Sequence, residues 1–309
     1  MTAVDTPEDT VTEGPVRPRE VSASGRARLL EGRPLAAEIR AQVAVDVADI
    51  VARFGRPPAL AVVFVGDDAP SAVYLERIIH GCETVGASTR TVGLPADTDG
   101  PALGQAVRRL SRDPAVDGII VQMPLPAGLP LRAIIDAIDP DKDVDGLHPI
   151  HAGRLALGYE GFLPATAQAA VEILKRSGYD LEGLSATVVG RSNVVGRPAA
   201  LLLLREHCTV TICHSRTRDL AASTRAADIV VVAAGRPGLI TGAMLKPGAL
   251  VVDVGINVTP EGIVGDVDFA SASQVAAAIT PVPGGVGPLT GAILLEHLVT
   301  AARRHLTRA

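Results

Sequence analysis

The run Gly190-Arg191-Ser192-Asn193-Val194-Val195-Gly196-Arg197-Pro198 stands between a β-branched apolar stretch and one rich in alanine and leucine. A glycine-bearing loop at a strand-to-helix junction turns backbone N–H groups at a helix N-terminus towards a pyrophosphate. The spacing departs from GxGxxG, because Ser192 takes the place of the second glycine; an ordinary connecting loop can look the same. The next apolar stretch ends in His214-Ser215-Arg216-Thr217. A site for NAD usually carries an acid there to bind the ribose 2′-hydroxyl. Here a hydroxyl and a guanidinium stand instead, and Arg191 can approach the same place from the loop. Two arginines around Ser215 suit a dianionic 2′-phosphate, so NADP is the expected cofactor. Arg216 taken alone also reads as a solvated surface charge.

A second group of polar residues lies in the first half. Tyr74 sits on a helix that follows a Gly66-Asp67-Asp68 turn, Gln122 ends the apolar run 118–122, and Asp143 and Asp145 flank Val144. Polar groups at the C-terminal ends of parallel strands are where α/β proteins bind ligands. Gln122 and Asp145 are therefore expected to converge on one polar ligand, although a strand-end Gln and a DxDG turn each have ordinary structural uses. Pro283-Gly284-Gly285-Val286-Gly287-Pro288 is a rigid loop of close backbone approach, or simply a turn.

These residues need elements to hold them. Leu35, Ile39, Val43, Val47 and Ile50 recur at spacings of three or four, which predicts a helix over 34–54. Strands are expected at 59–65, 90–93 and 118–122, with helices over 71–85 and 102–110. The second half repeats the pattern, with strands at 186–189, 209–213, 226–234 and 249–254, a helix over 197–206 and a last helix over 291–306. Strands separated by helices mean βαβ units and mostly parallel sheets. The expected fold is α/β in two layers, divided somewhere in 147–165, with the last helix free to return to the first layer. Residues 1–27 carry Pro7, Pro15 and Pro18 and no apolar period, and read as a disordered tail.

Composition excludes several classes. The 309 residues hold 29 Lys and Arg against 34 Asp and Glu, and only seven Phe and Tyr with no Trp. Without a basic tract or stacking platforms the chain is a poor nucleic-acid binder. No apolar run approaches the roughly 18–20 residues that span a bilayer, and no export signal is evident at the N-terminus. Cys82, Cys208 and Cys213 form no CxxC pair. They imply no disulfide framework or metal site, and read as small buried hydrophobes in a reducing cytoplasm.

Taken together, the motifs resemble the bifunctional methylenetetrahydrofolate dehydrogenase/methenyltetrahydrofolate cyclohydrolase family, the FolD type. The segments that carry the resemblance are 65–68, 71–74, 117–126, 141–149, 188–198, 209–217, 251–257 and 280–290, and it runs from about Leu29 to the C-terminus. It implies an N-terminal α/β folate lobe over 28–150, completed by a C-terminal helix at 290–309. It further implies a Rossmann-like parallel-sheet NADP lobe over 165–285, and a homodimer with tetrahydrofolate as one-carbon substrate. Tyr74, Gln122 and Asp145 are implied as catalytic and folate-binding residues, with Pro283 and Gly284 beside the substrate. Gly190, Arg191, Ser192, Val195, Ser215, Arg216, Ile256 and Thr290 are implied at the cofactor.

The departures are informative. The family pattern has a lysine four residues after the tyrosine, one helical turn on and on the same face; here that position is Ile78. The family's PCTPxG reads Pro164-Ala165-Thr166-Ala167-Gln168-Ala169, and its asparagine after HPI is His151. Hydride transfer depends on positioning, because the cofactor carries the chemistry. Water addition to the methenyl carbon needs a tunable acid–base, and a buried lysine is one. The expectation is a surviving NADP-dependent dehydrogenase with weak or absent cyclohydrolase. Arg77 and His80 are off the required face; His151 is the candidate substitute base, or else a surface histidine. The alternatives are a fully bifunctional enzyme, a non-catalytic NADP- or folate-binding regulatory paralogue, and an altered one-carbon substrate.

Overall fold

The computed structural model describes residues 26–66, 69–123, 125–126, 128–129, 131–260 and 262–308. The first lobe comprises α1 (Gly32–Phe54), β2 (Ala59–Val65), α2 (Ala69–Thr84), β3 (Ser88–Leu94), α3 (Gly100–Arg112), β4 (Gly118–Val121) and α4 (Leu131–Ile135), preceded by the two-residue strand β1 (Arg28–Leu29). Then come α5 (Pro149–Leu157) and α6 (Ala165–Arg176). The second lobe has β5 (Ser185–Val189), α7 (Gly196–Arg205), β6 (Thr209–Cys213), α8 (Leu220–Arg225), β7 (Ile229–Val232), β8 (Leu250–Asp253), the hairpin β9 (Asn257–Thr259) and β10 (Gly262–Val264), α9 (Phe269–Ala272) and β11 (Ala278–Ile279). The chain closes with α10 (Val286–Leu306).

Two parallel sheets result. The first has the order β3–β2–β4; the second has β1–β11–β8–β7–β5–β6. Their central strands are continuous apolar runs buried on both faces, as parallel sheets covered by helices require. In each sheet the first βα unit turns one way and the next turns the other, so a topological switch point opens beside β2 and β4 and another beside β5 and β7. No helix among the described residues is long and apolar enough to cross a membrane.

The helices follow from local chemistry. α1 buries Ala36, Ile39, Val43, Val47 and Ile50 and stops at Gly55, whose φ of 74° is left-handed. Asp99 caps α3 by accepting the Ala102 N–H. α10 buries residues on most of its circumference, among them Leu289, Ile293, Leu294, Leu298 and Ala302, so it must be central. It packs against α1 and α6 and reaches β2 and β4. A Cβ on Gly118 would stand 2.8 Å from the Leu298 side chain. Its last turn is tied to the first lobe through the fully buried Asp117, which accepts from Arg56 at 2.6 and 2.9 Å, from the Ala59 N–H and from His305.

Several expectations change. The folded chain starts before residue 28, since the Ala27 N–H donates to the Ser273 carbonyl at 2.9 Å; residues 1–25 lie outside the described residues. Arg28 and Leu29, counted with the first lobe on sequence, pair with β11 and lengthen the second sheet. A two-residue strand has no periodicity to read, and the free edge of β11 decides where it goes. The short strand expected at 90–93 extends to seven residues because β3 pairs along the whole of β2. The interval 147–165, in which the division between the layers is expected, holds a helix of its own, α5. His148 caps α5 through its Nδ1, Pro149 opens it, and Gly158 with φ 77° ends it.

Candidate active site

The second switch point is built from backbone. Gly190 follows β5 with φ 131°, and a Cβ there would stand 2.2 Å from the Ala233 carbonyl oxygen. A Cβ on Gly196 would lie 2.2 Å from the Gly190 oxygen. The loop therefore closes on itself and on the end of β7 only because both positions are glycine. Ser192 Oγ accepts the N–H groups of Val195 at 3.0 Å and Gly196 at 3.3 Å, which ties the loop to the start of α7. Arg191 is exposed. On the neighbouring strand the Gly190 N–H donates to the Cys213 carbonyl, which sets the end of β5 beside the end of β6. A turn follows, closed by His214 N–H to Thr217 Oγ1 at 2.8 Å and Arg216 N–H to His214 Nδ1 at 3.1 Å. It leaves Ser215 and Arg216 exposed. Arg191, Ser215 and Arg216 thus occupy adjacent strand ends, with no carboxylate on 214–217. These residues fit a phosphorylated dinucleotide.

Two acids unforeseen on sequence brace this face. Asp266, fully buried, accepts three successive backbone N–H groups, from Ala234 at 2.6 Å, Gly235 at 2.8 Å and Arg236 at 2.8 Å, and the Asn257 amide at 2.9 Å. Asp253, at the end of β8, accepts from Gly255, Asp266 and Val267. Burial pushes its carboxyl up to about 6, against the pull of those N–H groups. The pair fixes the loops after β7 and β8 and leaves Ile256 68% exposed at the strand-end face. The terminal Asp of an apolar run, as in Leu250–Asp253, is the only sequence sign of this arrangement. Thr290 lies in the second turn of α10 and donates back to the Val286 carbonyl. Pro283 and Gly284 precede that helix, where the Gly32 N–H donates to the Gly284 carbonyl at 2.9 Å.

At the first switch point Gln122 follows β4. It is buried, and its N–H donates to the Val63 carbonyl at 2.8 Å. The Asp143 segment runs beside β4, bridged to Ile119. Asp143 Oδ2 accepts the His148 N–H at 2.6 Å, so this carboxylate holds the turn. Burial raises it to about 6. Burial and the Asp143 charge raise the half-buried Asp145 to about 7. Gly146, with φ 68°, sits where a Cβ would be 2.5 Å from the Leu163 carbonyl carbon. Gln122 follows β4, and Asp145 lies in the turn that begins at Asp143, the residue bridged to β4. The Tyr74 side chain lies outside the described residues, as do Asp67, Asp68 and Pro124. Ile78, one turn beyond Tyr74 on α2, is 9% exposed and belongs to the main apolar core; Arg77 and His80 are exposed. His151 is not a surface residue. It is buried on α5, its Nε2 lies 2.8 Å from the Pro140 carbonyl, and burial holds its pKa below the usual histidine range.

Two family models cover this architecture: the catalytic domain of tetrahydrofolate dehydrogenase/cyclohydrolase over residues 30–145, and its NAD(P)-binding domain over 164–306. The chain belongs to the tetrahydrofolate dehydrogenase/cyclohydrolase family. It is 51% identical over 281 residues to the bifunctional protein FolD of Chloroflexus aurantiacus, covering 91% of this chain and 99% of that one. With FolD of Moorella thermoacetica the identity is 50% over 279 residues, covering 90% and 99%. Among solved structures, the FolD dehydrogenase/cyclohydrolase of Campylobacter jejuni superposes with a TM-score of 0.88 at 42% identity, covering 90% of this chain and 99% of that one. The Trypanosoma brucei enzyme, solved with NADP cofactor and inhibitor, gives 0.87 at 38% identity, covering 92% and 99%. The second lobe of this FolD-family chain is thus an NAD(P)-binding domain, and the first is the family's catalytic domain.

Proposed function

We propose that the protein oxidises 5,10-methylenetetrahydrofolate to 5,10-methenyltetrahydrofolate with NADP, and opens the methenyl ring slowly or not at all. Arg191, Ser215 and Arg216 bind the 2′-phosphate. The Gly190–Gly196 loop and the α7 N-terminus face the pyrophosphate, with Val195, Ile256 and Thr290 lining the rest of the cofactor site. Tyr74, Gln122 and Asp145 hold the folate, beside Pro283 and Gly284. Bound NADP supplies the acceptor for a hydride, which leaves the methylene carbon with its electron pair. The folate is left with a cation shared between two nitrogens. The chain's contribution to this step is alignment of donor and acceptor across the two switch points.

The observation that carries the hydrolytic half of the reading is the buried Ile78. Adding water to the methenyl carbon releases a proton that some group must take and return. An isoleucine can do neither, and losing a general acid–base costs about 10²–10⁴ in rate. His151 does not fill the gap, because its ring is enclosed and engaged with Pro140. A second reading, full bifunctionality through another group, is favoured by the bifunctional names of relatives near 50% identity. We take the protein as a cytoplasmic homodimer. Support comes from the exposed apolar residues Val258, Ile263 and Val264 on the β9–β10 hairpin.

One assay tests this. Purified protein with methylenetetrahydrofolate and NADP is followed for NADPH and for methenyl decay. NADPH should form, and the methenyl product should accumulate and decay at its spontaneous rate. Ile78→Lys should accelerate that decay by about tenfold or more, whereas Ile78→Met should not. Rapid hydrolysis by the wild type, or a folded Ile78→Lys with no gain, refutes the hydrolytic half. Absence of NADPH formation refutes the whole.

A further inference from the structure

The segment that carries Asp145 is gripped from behind by α10, at a residue 153 positions away in sequence. His297 is 8% exposed, and its Nδ1 lies 2.8 Å from the Val144 carbonyl oxygen. Its Nε2 lies 3.0 Å from the side-chain amide oxygen of Gln168 on α6. Burial pushes the ring's pKa down to about 4, with His151 and Arg304 acting in the same direction. The imidazole is therefore neutral and carries one N–H. A carbonyl can only accept, so that proton is on Nδ1. Nε2 is then an acceptor, and the Gln168 amide is satisfied with its NH2 turned to the ring, oxygen and nitrogen of an amide being nearly isosteric. Gln168 thus selects the tautomer that donates to Val144. Phe162 supports the ring from one side, with centroids 5.3 Å apart.

The contact falls on the peptide group that joins Val144 to Asp145. That group is planar, so fixing the direction of its carbonyl also fixes the Asp145 N–H. On the other flank the segment is bridged to β4 at Asp143, and Gly146 abuts Leu163. Three elements distant in sequence, α6, α10 and the Asp143–Gly146 turn, therefore meet at one imidazole.

We infer that His297, oriented by Gln168, is a positioning residue that sets the Asp145 carboxyl in the folate pocket. The inference rests on the reading above that Asp145 contacts the folate. Without the donor, the Val144 carbonyl is buried with no partner, and this peptide group keeps its Asp145 N–H on the Asp143 carboxylate but loses the anchor at its carbonyl end. A lost hydrogen bond of this kind corresponds to roughly a tenfold change in an equilibrium. Asparagine can restore it, because its amide nitrogen occupies about the place of the imidazole Nδ1.

The test uses the full-length protein and the variants His297→Leu, His297→Asn, Gln168→Leu and Asp145→Asn. KM for methylenetetrahydrofolate, KM for NADP, kcat and Tm are measured for each. His297→Leu should raise the folate KM roughly tenfold and leave the NADP KM within about twofold. His297→Asn should recover most of the loss, and Gln168→Leu should lie between. A purely structural histidine would lower Tm and spare the folate KM. A folded His297→Leu with wild-type folate KM, alongside an impaired Asp145→Asn, overturns the inference alone. Asp145→Asn with wild-type folate KM overturns the Asp145 reading and this inference with it. Should His297→Leu fail to fold, Gln168→Leu decides, and an unchanged folate KM there is also a refutation.

Discussion

Replacing Asp266 with alanine should cripple cofactor use while sparing the folate side. The carboxylate accepts N–H groups from Ala234, Gly235 and Arg236 at 2.6–2.8 Å and from Asn257 at 2.9 Å. A buried donor deprived of its acceptor costs about 1–3 kcal/mol. Gly235 and Arg236 are exposed, so their N–H groups recover water and the total falls towards the low end, about 3–5 kcal/mol. For a chain of this size each kcal/mol moves Tm by about 2–4 °C, so a drop of about 6–20 °C is expected. The loosened loop follows β7 and adjoins Gly190 through the Ala233 carbonyl. The NADP KM should rise by about tenfold, the loss of one well-made binding hydrogen bond. The folate KM should hold within about twofold, since the Asp145 side shares no partner with Asp266. Thermal melting and steady-state kinetics in both substrates measure all three. Asp266→Asn keeps one acceptor oxygen and should fall between. An Asp266→Ala protein that melts within about 2 °C of wild type, or that loses folate and NADP affinity alike, would refute the bracing argument.

Two further outcomes follow from the geometry. Gly190→Ala adds a methyl 2.2 Å from the Ala233 oxygen at a φ of 131°, a position only glycine tolerates; NADP binding measured by titration should weaken by at least about 30-fold, about 2 kcal/mol. Asp145 is raised from 3.8 to about 7, so the folded state keeps its proton where the unfolded state has lost it. The resulting stabilisation relative to a fixed charge is fully present below about pH 4 and disappears as pH rises through about 7. Scaled down for partial exposure, the penalty is about 1–2 kcal/mol. Asp145→Asn should therefore gain Tm over wild type progressively between pH 5 and pH 8, and an equal offset at both ends contradicts the raised pKa.

The sequence by itself carried the βα alternation, the switch from first to second lobe and the Gly190–Gly196 loop, because each depends on local periodicity or on backbone angles that particular residues allow. The missing acid at 214–217 was equally legible, since a charge is a property of the residue type. Tertiary structure decided the rest. Arg28 and Leu29 joined the far sheet because β11 offered an unpaired edge. The role of Asp266 was hidden because three of the four donors it accepts from are backbone N–H groups, which every residue but proline carries and no sequence marks. His151 and His297 look alike on paper, each a histidine inside a helix. What each does was settled by the carbonyl it meets, Pro140 for one and Val144 for the other. That encounter exists only after α10 has packed against α1, α6 and the first sheet, where burying its broad apolar face requires it to be.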